Sequence, residues 1–448
     1  MKFTSLILSA LLSTTVLGAN IAIIDSGTDY KHEMLSSNMW KNQVDSTVNL
    51  RDEDRNGYED DIYGWNFAES NREIIDYSYL GLLNDDIRKF FNIQAKRFYG
   101  EVTEEELEWA RNILKNKDFI KRISVYGNFM HGTHVAGITV KDSEDAKVMG
   151  VKLIPTEVKL PGQKLVQSLK KNKDGFRMKL LKGALAALAK QQMVMLTEIA
   201  YYINDHKMDV ANGSFGTGYA QSAMIITPIF KIMFQRDPNQ EELDILAKHF
   251  LGSLISEGQK MTKAAPNTLF VFAAGNDGLN NDKYPTSPTN IVADNVISVA
   301  ATIERDSIAP FSNYGKKMVD VAAPGVGINS AVPGGKYLRV SGTSQAAPYV
   351  ANIAGKLKDI NPELRPKEIK KIIMGTVDLK DFLNGKVVSS GIVNTKRAQR
   401  AAQLSLSMNL NGAIKISRKD VVDIKSSNLI SYESIKDIFV LPLPSPFN

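Results

Sequence analysis

The chain of 448 residues contains no cysteine. That excludes a thiol nucleophile, a cysteine-ligated zinc site, a disulfide framework and a lipid-modified N-terminal cysteine. It also removes the usual redox clue to compartment. A chain of this length buries enough apolar surface to fold without covalent staples. Histidine is scarce, with five residues. Low-complexity linkers and internal repeats are missing as well. A surplus of one charge is nearly absent. The net charge is +6 with a sequence pI of about 9.0, and basic residues interleave with acidic ones, as around Glu368 between Lys367 and Lys370. That pattern reads as a solvated surface, so neither a nucleic-acid partner nor stable membrane association is expected.

What is present begins with an N-terminal pattern. Lys2 supplies a positive start, Leu6 to Leu17 an apolar run too short to span a bilayer comfortably, and Gly18-Ala19 small residues near a cut. Residues 1–19 therefore read as a secretory signal, and the protein is expected to be secreted or periplasmic. An uncleaved anchor or a buried first helix is the rival reading. Cleavage near Ala19 would leave little room for a pro-segment before the strand that starts at Ile21.

The remainder has a globular composition, 43% hydrophobic and 23% charged. Apolar runs at Ile21–Ile24, Leu269–Phe272 and Val296–Ala300 suit strands buried on both faces. Leu243, Leu246, Ala247, Phe250, Leu251 and Leu254 keep a helical period, with Asp237 as the expected cap and Pro238 at the first position. Alternating strands and helices predict a three-layer α/β sandwich around a mostly parallel central sheet. Residues 20–403 form the main unit. Two stretches read as additions to it, near 70–128 and 222–240. In the first, Thr103 and Glu106 form a capping-box pattern. From about residue 404 to 448 the sequence alternates polar and apolar residues, which predicts extra strands or a loose tail.

Three short motifs carry chemistry. In Ile23-Ile24-Asp25-Ser26-Gly27 a buried strand ends in an acid and a glycine turn. Ligands of open parallel sheets bind beyond the carboxyl ends of strands, where an aspartate can orient a histidine. Taken alone, such an Asp is more often a turn or cap residue. The second motif, His131-Gly132-Thr133-His134-Val135-Ala136-Gly137, holds two of the five histidines and is expected to start a helix. Catalysis, metal binding and a structural role all remain open on this segment. Its spacing is not that of zinc peptidases, in which a Glu follows the first His and the second His comes four residues later. In the third, Ser341-Gly342-Thr343-Ser344-Gln345-Ala346-Ala347-Pro348, a serine stands at a helix start. Unpaired N–H groups and the positive dipole end gather there. An ordinary helix cap gives the same pattern.

Together, and in the order Asp, His, Ser, these motifs resemble the signatures of the subtilisin-like serine peptidases, the family in which that chain order is known. Asp209-Val210-Ala211-Asn212-Gly213-Ser214-Phe215-Gly216 is similar to the family's substrate-binding strand, and Ala273-Ala274-Gly275-Asn276 to the strand carrying its oxyanion asparagine. Ala323-Pro324-Gly325 and Ser390-Gly391-Ile392-Val393-Asn394 also look like family segments. The resemblance runs from residue 21 to about 403.

It implies a subtilisin-like fold and a serine endopeptidase acting on polypeptides. Ser344 would be the nucleophile, His131 the general base and Asp25 the residue that orients it. Asn276 would assist the oxyanion, and Ser214, Phe215 and Gly216 would hold the substrate backbone, with the Phe215 ring walling the pocket. No cofactor is required for that chemistry. A structural calcium remains open at Asp52-Glu53-Asp54-Arg55-Asn56-Gly57-Tyr58-Glu59-Asp60-Asp61, which has alternating oxygen ligands and a glycine turn. Tyr63 stands where an EF-hand needs its twelfth-position Glu, so the loop is not an EF-hand, and a solvated acidic turn is the alternative. Other functions to weigh are a non-catalytic peptide-binding protein on the same scaffold and a zinc hydrolase using His131 and His134.

Overall fold

The computed structural model describes residues 18–157, 174–425, 441, 444 and 445. The apolar run Leu6–Leu17 lies outside the described residues. Twelve strands follow one another along the described chain: β1 (Asn20–Asp25), β2 (Gly64–Asn66), β3 (Lys147–Lys152), β4 (Val210–Gly213), β5 (Leu269–Ala273), β6 (Val296–Ile303), β7 (Ser307–Ile308), β8 (Val321–Pro324), β9 (Ile328–Val332), β10 (Lys336–Val340), β11 (Asp378–Leu379) and β12 (Gly391–Ile392). Ten of them form one sheet in the order β11-β12-β8-β6-β5-β4-β1-β3-β2, with β7 on β6. Pairing is parallel throughout except β11 with β12 and β7 with β6. β9 and β10 make a separate antiparallel ribbon.

Alternate residues of each strand face opposite cores, as the period of two requires. Ile21 and Ile23 of β1, with Val271 and Ala273 of β5, enter one apolar cluster. It is closed by Val135 and Ala136 of helix Lys117–Thr139 and by Val350, Ala351 and Ala354 of helix Thr343–Ile360. Ala22 and Ile24, with Phe270 and Phe272, enter the other. Helices Asp174–Asp205, Tyr219–Phe234 and Gln240–Ala264 cover that side. Three layers result. The central strands β1, β5 and β6 read as nearly continuous apolar runs because both of their faces are buried.

Three local expectations are corrected. The histidine motif does not start a helix. It lies in the second half of Lys117–Thr139, which Asn116 caps by accepting from the Asp118 and Phe119 N–H groups. The 70–128 addition is thus continuous with the segment bearing His131. Asp237 does not cap the helix beginning at Gln240. Asn239 does, accepting from Glu242 N at 2.9 Å while the Glu242 carboxylate accepts from Asn239 N at 2.9 Å. A reciprocal box satisfies two orphan donors, where an Asp two residues earlier would satisfy neither. Beyond residue 404 the described chain forms a helix in place of the expected strands or loose tail, followed by an irregular stretch to residue 425. Asn409 caps a helix over Leu410–Asp420 that buries Ala413 and Ser417, four residues apart on one face. The capping box at Thr103 and Glu106 is present as expected.

Candidate active site

β1 is where the strand order reverses: β3 and β2 lie to one side, β4, β5, β6 and β8 to the other. A crevice opens at the carboxyl ends of strands at such a point. Asp25 is the last residue of β1. Ser214–Gly216 leave the end of β4 and Asn276 follows the end of β5, so every candidate comes to the same edge.

Asp25 is fully buried, and its Oδ1 lies 2.7 Å from His131 Nδ1. A carboxylate accepts, so Nδ1 carries a proton, and in the neutral ring Nε2 keeps its lone pair. Ser26 N donates to the same Oδ1 at 2.7 Å. The helix bearing His131 can come this close because residue 132 is glycine. A Cβ there would stand 2.1 Å from the Gly27 carbonyl oxygen.

Ser344 sits in the first turn of helix Thr343–Ile360, and its N–H is among the amides that a helix start leaves without an intrahelical acceptor. The Ser344 hydroxyl donates to the Ser214 carbonyl at 3.1 Å, and the Ser214 hydroxyl donates to the Ser344 carbonyl at 3.0 Å. No hydrogen bond joins Ser344 to His131 in this conformation. The next pair along, Gln345 Nε2 and His134 Nδ1, approaches to 3.5 Å, so the two helices meet at this point. Rotation about one Ser344 χ1 angle redirects its hydroxyl, and such bonds often tighten only when substrate is present.

Asn276 is held by its oxygen. Oδ1 accepts from Thr343 N at 2.9 Å and from the Thr343 hydroxyl at 2.8 Å. The amide Nδ2 is thereby turned outward into the crevice. Thr343 was not singled out from the sequence, although it stands inside the Gly-Thr-Ser motif. Its hydroxyl also accepts from Gly275 N at 3.1 Å, at a backbone φ of +116° that glycine adopts readily.

A profile of the subtilase family matches residues 17–402. The chain belongs to this family. A "Cell wall-associated protease" of Bacillus subtilis (strain 168) is 45% identical over 112 residues, 25% of this chain and 12% of the relative. "Alkaline elastase YaB" of Bacillus sp. (strain YaB) is 36% identical over 149 residues, 33% of this chain and 37% of the relative. "Subtilisin BL" of Lederbergia lenta is 36% identical over 132 residues, 30% of this chain and 46% of the relative. Each match thus covers less than half of the relative's length. A solved "cold adapted subtilisin-like serine proteinase" aligns over 85% of this chain and 88% of its own at 18% identity, with a TM-score of 0.44.

In this subtilase the second histidine of the motif has another task. His134 is fully buried, and its Nε2 donates to the Leu338 carbonyl at 3.1 Å. Burial pushes it down to about 4, so it is neutral near pH 7. It faces the β10 backbone and Gln345, and among the described residues it joins no group of metal-binding side chains. Ser214 and Phe215 are buried. The Phe215 ring lies edge-on to Phe272, 6.3 Å between centroids, within the core cluster on that side of the sheet. The backbone of the segment is what faces the crevice, with Gly216 N donating to the Pro444 carbonyl at 3.0 Å.

The acidic loop folds back on itself. Asp52 accepts from Asn56 N at 3.0 Å and from Gly57 N at 2.8 Å. Asp45, Asp52 and Asp54 bring carboxylate oxygens within 4.8 Å of one another. Asp45 is fully buried and no donor reaches its Oδ1; burial and the neighbouring Glu53 carboxyl push the Asp45 carboxyl up to about 7. An orphaned buried oxygen beside two more carboxylates fits a hard divalent cation.

Proposed function

We propose that the chain is a secreted serine endopeptidase using Asp25, His131 and Ser344, with an oxyanion site at Asn276. The observation that most supports this is the buried 2.7 Å bond between Asp25 and His131 Nδ1. In the neutral ring it leaves Nε2 available as a base, and Ser344 and Asn276 lie at the same carboxyl edge of the sheet.

In this reading the Ser344 hydroxyl attacks the peptide carbonyl while His131 takes its proton. Asp25 holds the imidazole in the required tautomer and stabilises the imidazolium. Oxyanion charge falls on the Asn276 amide and the Ser344 backbone N–H. His131 then protonates the leaving amine, and water releases the acyl group by the reverse route. Residues before the cut lie along Ser214–Gly216 as an added strand. Secretion is supported by the pattern at Lys2 and Leu6–Leu17. No described helix is long and apolar enough to cross a membrane.

A structural calcium at Asp45, Asp52 and Asp54 accompanies this reading. Its support is the partnerless Asp45 oxygen. It would hold the loop and supply no chemistry to the acyl transfer.

The test is hydrolysis of unfolded casein by the purified protein, with labelling by a serine-directed phosphonate. Casein cleavage lost on labelling and absent in Ser344→Ala is expected. Correctly folded protein that neither cleaves nor labels would leave only a peptide-binding role, and chelator inhibition with indifference to phosphonate would return the zinc reading.

A further inference from the structure

Three residues from the end of the chain lie across the crevice. The Leu441 carbonyl accepts from Asn276 Nδ2 at 3.1 Å, the amide assigned to the oxyanion. The Pro444 carbonyl accepts from Gly216 N at 3.0 Å, and the Ser445 hydroxyl lies 3.2 Å from that of Thr217. Pro444 and Ser445 are buried. The Leu441 side chain packs against the apolar cluster that contains Phe90, Phe91 and Val340, and it helps to line a small pocket with Phe98, Gln94 and Arg339. Its Cδ1 lies 2.9 Å from where a Cβ on Gly127 would stand, so a side chain at residue 127 would push the leucine aside.

The direction of this segment matters. A substrate whose residues before the cut lie along Ser214–Gly216 meets Gly216 first and Asn276 later, read from its N-terminus. The C-terminal segment meets Asn276 at Leu441 and Gly216 three residues later, at Pro444. It runs the other way. The Leu441 carbonyl holds the oxyanion amide, and by Pro444 the chain is at Gly216, on the acyl side. That is opposite to where His131 must deliver a proton to a leaving amine. The residue after Leu441 in the sequence is proline, whose amide is tertiary. Prolines at 442, 444 and 446 fix φ at every second residue, which lowers the entropy lost on docking.

We propose that the segment Leu441–Ser445 is an intramolecular, reverse-oriented inhibitor that occupies this protein's own substrate cleft. The proposal rests on the peptidase reading above. A tethered segment acts at an effective concentration in the millimolar range, so even a segment with an intrinsic Ki ten times lower than that suppresses turnover about tenfold.

The experiment compares the full-length chain with Leu441→Asp and Leu441→Ala. The first puts a charge among Phe90, Phe91 and Phe98, and the second removes only the anchor. Casein hydrolysis and the rate of phosphonate labelling are measured for all three, with thermal unfolding of each in the Ser344→Ala background to show that they fold. A synthetic peptide of residues 437–448 is then added to the variants. Expected are a rise of about tenfold in kcat/KM and in labelling rate for Leu441→Asp, a smaller rise for Leu441→Ala, and competitive inhibition of both by the peptide. Equal rates in the wild type and both folded variants overturn the proposal and leave the peptidase reading intact. Intact mass showing that the wild type loses residues after Leu441, and that Ser344→Ala does not, also overturns it, because the segment is then a substrate. If no variant cleaves or labels, the peptidase reading itself has failed.

Discussion

Acidification should destabilise this protein through one buried histidine outside the proposed triad. His134 is enclosed between the β10 backbone and the Ser344 helix. It donates from Nε2 to Leu338 and has the Gln345 amide at Nδ1. Burial lowers it to about 4 from an ordinary 6.5. Because its folded value lies below its unfolded value, the unfolded chain binds the proton first. The stability held by the neutral ring is complete above pH 6.5 and is lost as pH falls from 6.5 toward 4. A gap of 2.5 pH units at about 1.36 kcal/mol each gives a full loss of roughly 3 kcal/mol. About 2 kcal/mol of it falls between pH 7 and pH 5. The assay is urea unfolding at both pH values in the Ser344→Ala background, which prevents self-digestion. His134→Gln serves as the comparison, because titration of the other histidines cancels in the difference. The variant should be less stable at pH 7 but lose about 2 kcal/mol less than its parent on going to pH 5. Equal losses in the two proteins would refute the argument, since the buried ring would then not be the group that resists the proton.

Two other perturbations address the site and the acidic loop. Asn276→Ala should lower kcat about a hundred- to thousandfold with little change in KM, a magnitude known from subtilisin itself. Steady-state kinetics on a peptide amide check it, and a loss confined to KM would assign Asn276 to ground-state binding. Removing calcium from Ser344→Ala with a chelator should lower its melting temperature, and adding calcium at a hundredfold excess over Kd should restore about 2.7 kcal/mol. Asp45→Asn should abolish that response, and a calcium-dependent shift that persists in Asp45→Asn would remove the loop from consideration.

The legible parts of this molecule are those fixed over short spans. Ile21–Ile24, Leu269–Phe272 and Val296–Ala300 lie within β1, β5 and β6, because a strand buried on both faces is mostly apolar. Thr103 and Glu106 sit three residues apart and form their box whatever the tertiary context. Asp237 was a reasonable cap by residue type, but the reciprocal partner at Glu242 selects Asn239, and partner spacing outweighs identity. The sequence reading starts the helix through His131 too late, because glycines at 127, 132 and 137 disguise its earlier course. They are placed for close approach, such as that of residue 132 to the Asp25 turn, and not to stop the helix. Nothing local announces the contact of Leu441 with Asn276, made across 165 residues.

The same division explains where the site carries cost. Asp25 is fully buried, with one oxygen spent on His131 and Ser26 and the other without a partner. An unsatisfied buried carboxylate oxygen opposes folding by about 1–3 kcal/mol. A core optimised for stability alone would place an apolar residue at the end of β1, to match Ile21, Ile23 and Ile24. A sequence that keeps the acid there, answers it with a glycine so that the helix can touch the turn, and aims Asn276 with both Thr343 bonds has traded local stability for geometry. Agreement between local rules and the global fold breaks where function sits. Here it breaks at the carboxyl edge of β1, the point where strand order reverses and near which Leu441 and Pro444 meet Asn276 and Gly216.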